Sequence, residues 1–371
     1  MILDTFLSCF SRNYAQAREK FLGITHTRGL AVESHLLNLA GSAGEPLAMD
    51  VVWDGPKDAT RLLLTTSGVH GVEGFCGSGV QCALMTLRPD LGELGDTAIL
   101  HVHAVNPYGF SHLRRATQEN VDHNRNFIDF TQPLPSNADY QEIHSLLLPS
   151  QWPPAQANEE DLDAFRQQWG PRRMQQAISG GQHTHANGMF YGGIEPTWSN
   201  RIFRDILRCH TRTCEHLAWI DVHTGLGPHG LGERIFASDD SAEALARSHR
   251  WWGDDVSSEQ TGTSTSIPLL GPIQRAVEVE CPQAVYTGIC LEFGTVPLEA
   301  TYLALRAEHW LTARPSAEID EAKVIKQALR DAFYPDTDVW KRQVLTQAFE
   351  AASQAIQGLR NSRTIDPQPK A

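Results

Sequence analysis

Short apolar runs alternate along the chain with longer stretches of helical period. The runs at 61–67 (RLLLTTS), 97–105 (TAILHVHAV), 217–223 (LAWIDVH), 234–238 (RIFAS) and 284–293 (AVYTGICLEF) are the length of strands and rich in aliphatic residues. They predict buried strands. Two further strand candidates, near 31–39 and 47–53, flank Gly41-Ser42-Ala43-Gly44, a turn able to join them as a hairpin. Helical spacing marks 10–22, with Tyr14, Ala15 and Phe21 as core contacts, and then 199–211, 241–252, 299–312, 318–333 and 341–359. The glycine-rich stretch 68–79 follows the first buried strand and leads into an apolar helix through Val80, Leu84 and Leu87. Strands alternating with helices predict an α/β fold with a mixed, mostly parallel sheet, whose sites gather at the carboxyl ends of strands.

The segment around 131–197 breaks this rhythm. It is rich in Pro, Gln and Gly, and carries an acidic run (Glu159, Glu160, Asp161, Asp163) followed by Arg166, Arg172 and Arg173. It reads as an insertion, helical near 160–178, within one domain spanning 1–360. Residues 361–371 read as a disordered tail. No internal repeat is visible. A net charge of −13 argues against a nucleic-acid surface or a polybasic membrane patch. The first residues form no secretory signal, and no run nears the ~20 apolar residues of a membrane span. Seven scattered cysteines suit a reducing cytoplasm better than a disulfide framework.

Four segments, each at or just after the end of a predicted strand, carry candidate chemistry. In Ser67-Gly-Val-His70-Gly-Val-Glu73-Gly, a His and a Glu three apart in a tight loop can face one ion, and both suit zinc. The same pair reads equally as an exposed loop His and a helix-start Glu favoured by the helix dipole. In Ile220-Asp-Val-His223-Thr-Gly, a strand-end His offers a third ligand or a hydrogen-bonded core histidine. In Asn120-Val-Asp122-His-Asn124-Arg125-Asn-Phe, an amide beside a guanidinium suits a carboxylate, or forms a solvated polar turn. In Cys290-Leu-Glu292-Phe-Gly-Thr, a glutamate inside an apolar strand needs a partner or a task, such as taking a proton from a water.

The order of these segments resembles the zinc carboxypeptidase superfamily, which also contains succinylglutamate desuccinylase and aspartoacylase. GVHGVEGF is similar to its zinc loop, NVDHNRNF to its carboxylate clamp, DVHTG to its third-ligand strand and LEFGT to its general-base strand. NPYGFSHLRR, ahead of the clamp, is similar to its Asn-Pro turn. The likeness spans roughly residues 60–295 and lies nearest to a bacterial branch of predicted metallopeptidases.

The resemblance implies a zinc carboxypeptidase-like α/β domain, a central twisted sheet flanked by helices. It implies one zinc per chain on His70, Glu73 and His223, a clamp of Asn124 and Arg125, and Glu292 as general base. Arg114 and Arg115 compete for an oxyanion-stabilising role, and spacing favours Arg115. His123 stands where the family carries an apolar residue. Tyr191 and Tyr286 are the candidates for a tyrosine closing over substrate.

The implied reaction is hydrolysis of an amide bond beside a free carboxylate. The substrate is a peptide or, alternatively, an N-acyl amino acid. A non-catalytic zinc-dependent binding protein is the remote third reading, which an intact Glu292 opposes. Lesser motifs remain. Gly180–Gly193 holds His183 and His185, a second metal site or a substrate-facing loop. Cys209, His210, Cys214 and His216 lack the paired spacing of a structural zinc site. No nucleophile elbow, P-loop or dinucleotide fingerprint is present.

Overall fold

Among the described residues, seven strands form one sheet in the order β1-β2-β4-β3-β5-β7-β6. The computed structural model describes residues 3–87, 94–238, 241–314 and 318–362. The strands are β1 (Val32–Ala40), β2 (Pro46–Asp54), β3 (Arg61–Thr66), β4 (Thr97–His103), β5 (His216–Thr224), β6 (Gly232–Phe236) and β7 (Val285–Phe293). The four central strands, β4, β3, β5 and β7, run parallel. β1 and β2 add an antiparallel hairpin at one edge, and β6 pairs antiparallel with β7 at the other. Every residue of β3, β4 and β5 is buried, which is why these strands read as largely apolar runs. The edge strand β1 is mostly exposed.

Eleven α-helices are described: α1 (Tyr14–Thr27), α2 (Gly74–Leu87), α3 (Pro107–Ser111), α4 (Ala138–Leu147), α5 (Gln156–Ser179), α6 (Trp198–His210), α7 (Ala242–Trp252), α8 (Arg275–Glu280), α9 (Leu298–Thr312), α10 (Ile319–Phe333) and α11 (Asp338–Asn361). α1, α2 and α11 cover one sheet face, where Phe21, Phe75 and Trp340 join the core. α6 and α8 cover the other, around Phe203 and Trp219. The result is a single α/β domain with a mixed sheet. None of the described helices is long and apolar enough to cross a membrane.

Three local readings change. α1 begins at Tyr14, capped by the Asn13 side chain, and Ala17 rather than the exposed Ala15 takes the core position. α2 begins at Gly74, not Val80, because its glycines are contact points. A Cβ at Gly77 would lie 2.7 Å from the Ser67 Cβ, and one at Gly71 would lie 2.0 Å from the Gly109 carbonyl carbon. The expected tail is still helical at Asn361, while 363–371 lie outside the described residues.

Residues 131–197 supply α4, α5 and a loop. α5 bends at Gly170, whose φ of 76° places it in the left-handed region, and Pro171 follows. Tyr140, Ile143 and Met174 of this segment pack with Leu305, Leu329 and Phe333 in an apolar cluster of their own.

Candidate active site

The parallel strands deliver the chemistry at their carboxyl ends. β3 ends at Thr66, and the chain turns through Gly68 into His70 and Glu73. This loop is hydrogen-bonded to the Arg114–Arg115 segment, from Gly71 N to Arg115 O and from Val72 N to Arg114 O. The Asn-Pro turn helps hold that segment. Asn106 caps α3 and donates from Nδ2 to Arg115 O. His223 is the penultimate residue of β5, and β7 places Glu292 directly beside it in register.

One nitrogen from each of His70 and His223 and one oxygen of Glu73 lie within 4.8 Å of one another. All three residues are buried. The two Nδ1 atoms are 3.2 Å apart, and each lies 2.9 Å from a different Glu73 oxygen. Each ring turns its other nitrogen to a carboxylate. His70 Nε2 is 3.1 Å from Asp122 Oδ1, and His223 Nε2 is 2.7 Å from Asp221 Oδ2. A proton on each Nε2 leaves the Nδ1 lone pairs aimed at a common point, the tautomer a metal ligand needs.

The electrostatics suit a cation. Burial alone would raise the Glu73 carboxyl, yet His70 and His223 hold it well below the usual carboxylate range. Burial would lower His223, but Asp221 and then Glu73 raise it well above the ordinary histidine value. Four carboxylates, on Glu73, Asp122, Asp221 and Glu292, gather around the two imidazoles, and the guanidiniums of Arg115 and Arg125 lie beside them. The carboxylates outnumber the guanidiniums, a negative excess that a divalent ion would offset. Two imidazoles and a carboxylate are also a donor set that zinc accepts.

Glu292 is buried, and its Oε1 accepts the Leu226 N–H at 3.0 Å. Burial, reinforced by the neighbouring Glu73 carboxylate, pushes it up to about 8. The adjacent arginines divide. Arg114 turns away, donating to Glu308 and Asn120. Arg115 faces the site, donating from Nε to Asp122 and from Nη1 to Glu73, both at 2.9 Å. Its Nη2 also lies 2.8 Å from His70 Nε2, a contact of two donors once that nitrogen carries its proton.

These groups open into a cavity of about 400 Å³, which Asn124 and Arg125 also line. The sequence gives Arg125 no evident structural partner, but the structure does. Nε and Nη2 both donate to Ser179 O, and Nη1 donates to Asn124 O. Three of five N–H groups are used, so one on each Nη remains. Asn124 Oδ1 accepts the Ile273 N–H, and its Nδ2 has no partner among the described residues. The departure at His123 is a buried ring with Nδ1 3.4 Å from Thr197 Oγ1, lowered by burial to about 3.

Of the proposed tyrosines, Tyr286 donates to Ala237 O at the far end of β7, and neither it nor Tyr191 lines the cavity. Tyr302 of α9 does, its hydroxyl 3.2 Å from Ser179 Oγ. Nothing in its helical context distinguishes it from a core residue. Phe190 was also missed; its ring centroid lies 5.1 Å from Arg115 Cζ and 5.5 Å from Arg125 Cζ. Asp221 was legible in principle, since two residues before His223 on a strand is the same face.

The lesser motifs do not converge. Cys209 is exposed, His210 contacts Glu33, and Cys214 Sγ contacts His216 O. His183 Nδ1 meets Gly193 O, while His185 stacks on His144. Among the described residues, the remaining metal-like group is His223 with Cys290 and Glu292, within the same site.

The fold matches solved structures across most of the chain. Bovine thrombin-activatable fibrinolysis inhibitor, in complex with tick carboxypeptidase inhibitor, aligns with a TM-score of 0.52 at 10% identity, over 94% of this chain and 97% of that one. A second structure of thrombin-activatable fibrinolysis inhibitor gives 0.53 at 12% identity, over 95% and 75%. An aspartoacylase family protein from Mesorhizobium loti gives 0.36 at 15% identity, over 76% and 66%. The fold is carboxypeptidase-like. No curated protein matches the sequence. The family model described as "Protein of unknown function (DUF2817)" matches residues 10–347, and the chain belongs to that family.

Proposed function

We propose that this protein is a zinc-dependent hydrolase that cleaves an amide bond next to a free carboxylate, in the manner of a carboxypeptidase. The observation that carries this reading is the meeting, in one cavity, of three convergent ligand atoms, a buried carboxylate and a guanidinium with N–H groups to spare. His70, Glu73 and His223 would hold one zinc. When bound, zinc supplies Lewis acidity and lowers the pKa of water towards ~7.

The chain's own groups do the rest. Arg125 Nη1 and Nη2, with Asn124 Nδ2, bind the substrate's carboxylate and so set the scissile bond beside Glu292. Glu292 Oε1 is held by the Leu226 N–H, which leaves Oε2 to take the proton of the attacking water and return it to the leaving amine. Arg115 donates to the carbonyl oxygen as negative charge builds there. Tyr302 and Phe190 exclude water from the guanidiniums.

The test is a substrate panel with zinc-loaded protein: hippuryl-type peptides, their C-terminal amides, and acetyl and succinyl amino acids. Cleavage of the free-acid peptides with little turnover of the amides supports the reading. Equal turnover of acid and amide would overturn the clamp. Preference for acyl amino acids would make the enzyme a deacylase on the same machinery.

A further inference from the structure

Beyond Glu73 and Glu292, the cavity is lined by two carboxylates that the proposed reaction does not use, Glu278 of α8, which already interacts within the fold, and Glu259. Glu259 lies on the loop after α7. The loop is fixed from both sides. Ser257 exchanges backbone hydrogen bonds with Arg234 and Phe236 of β6. From α5, Arg172 donates to Ser264 O, Gln175 to Thr265 O and Gln176 to Pro268 O, at 3.2, 2.9 and 2.9 Å. Glu259 is therefore a placed group.

Its hydrogen bonding is incomplete. Ser266 Oγ donates to Oε1 at 2.5 Å, and Oε2 has no partner among the described residues. Glu233 is the useful contrast. It is held by the Ser257 and Thr265 hydroxyls and by the Thr265 N–H. Nor does any described Lys, Arg or His form an ion pair with Glu259. Arg125 and Arg172 reach it only through space, and those of their N–H groups that are hydrogen-bonded go to backbone carbonyls. A half-buried carboxylate without a cation is costly, and a charge-assisted bond recovers more than a neutral one. Burial pushes Glu259 up to about 7, the direction expected of a carboxylate whose counter-charge arrives with a ligand.

We propose that Glu259 is a specificity-determining residue that selects substrates whose carboxylate-bearing residue has a cationic side chain, lysine- or arginine-like. The inference rests on the reading of Arg125 as the carboxylate clamp. Arg125 and Glu259 line one cavity and feel each other's charge. A single amino acid with a carboxylate at one end and an ammonium at the other satisfies both. Norleucine has nearly lysine's shape without the charge, so it isolates the contribution of Glu259.

The experiment compares hippuryl-lysine with hippuryl-norleucine, and Nα-acetyl-lysine with Nα-acetyl-norleucine, on wild type and Glu259→Gln. A parallel calorimetric arm measures binding of free lysine and free norleucine, which needs no turnover. In wild type the lysine form should be favoured at least ~10-fold in kcat/KM and in affinity, the low end for hydrogen bonds to charged groups. In Glu259→Gln both ratios should fall to near one. Arg125→Met should weaken lysine and norleucine binding alike. A wild-type ratio near one, or a ratio that survives Glu259→Gln, overturns the proposal. If no substrate is cleaved, the hydrolase reading fails, and the binding ratios still decide the role of Glu259.

Discussion

Arg114 and Arg115 are neighbours in the chain, and each belongs to a buried ionic cluster. Arg114 meets Glu308, which also receives Lys326 and the Thr312 hydroxyl. The spare donors of these cations go to Asn120, to Thr117 O and to Leu113 O. Positive charge meets negative charge directly, and burial is offset from within. Arg115 meets Glu73 and Asp122 in a cluster whose excess charge is negative, where two cations on Glu308 leave the first one positive. Carboxylates outnumber guanidiniums, and two imidazole nitrogens face each other at 3.2 Å. No member of the first cluster lines the cavity, although one Glu308 oxygen is left without a hydrogen bond, while the second opens into the cavity with its ligand atoms converging. Burial alone does not separate a structural ion pair from a site; the direction in which the unused atoms point does.

The widest separation of the two clusters should come at their carboxylates. Glu292→Gln keeps the shape and removes the proton acceptor. Turnover should fall by ~10²–10⁴-fold while zinc content by elemental analysis stays near one per chain. Near-normal turnover would move the base to Glu278, which lines the cavity, since Glu233 is held by Ser257 and Thr265 and Glu280 by Arg204 and Arg208. Glu308→Gln should do the reverse. It leaves Arg114 and Lys326 uncompensated, at a cost of roughly 3–5 kcal/mol in unfolding free energy. Turnover per folded molecule should stay near the wild-type value.

Acid sharpens this contrast. Burial would raise Glu308, but Lys326 and then Arg114 hold it down at about 2, against an ordinary value of 4.5. A depressed carboxylate stabilises the fold fully above its unfolded pKa, and that stability is lost as pH falls through the folded value. Wild type should therefore lose stability between about 4.5 and about 2. Urea titrations should show a shallower loss in Glu308→Gln over that window, and parallel curves would remove Glu308 from the account.

The clamp should respond more modestly. Arg125→Met should weaken a free-acid substrate by about 10–150-fold, and its amide almost not at all. A folding defect would penalise both substrates alike, so the difference between them is the measurement. Comparable losses on both would return Arg125 to a structural role, with Ser179 O and Asn124 O as its partners.

The strands were legible because β3, β4 and β5 are buried on both faces and so are built mainly of aliphatic residues, with polar ones few and concentrated towards their ends. The candidate residues were legible because each sits at a strand end or a tight loop, where a polar residue breaks an apolar run. Tyr302 and Phe190 were not legible. An aromatic residue in an apolar helix, or in a glycine-rich loop, reads as core, and only the tertiary fold brings it to the guanidiniums. The helical start at Gly74 was hidden for a similar reason, since glycine signals a loop locally and close packing globally. Arg125 shows the converse. Its backbone partner Ser179 lies 54 residues away, and no local pattern announces it.

Asp221 gives the finest test of the comparison, because it acts on the site only through His223. Its Oδ2 lies 2.7 Å from His223 Nε2, and its Oδ1 accepts the Thr66 hydroxyl. In Asp221→Asn the side chain keeps its shape and can still accept a hydrogen bond, but the negative charge is gone. The imidazole becomes less basic and less firmly oriented, which should weaken zinc binding by ~10–100-fold in a chelator competition. At a fixed zinc concentration above saturation, that change removes about 1.4–2.7 kcal/mol of metal-linked stability. The zinc-induced rise in Tm should shrink accordingly. The metal-free proteins supply the control. A purely structural Asp221 would lower Tm with and without zinc by similar amounts and leave the affinity alone. An orienting Asp221 lowers it chiefly when zinc is present. Unchanged zinc affinity in this variant would mean that His223 Nδ1 is not a ligand, and the second cluster would then have to be read, like the first, as structure.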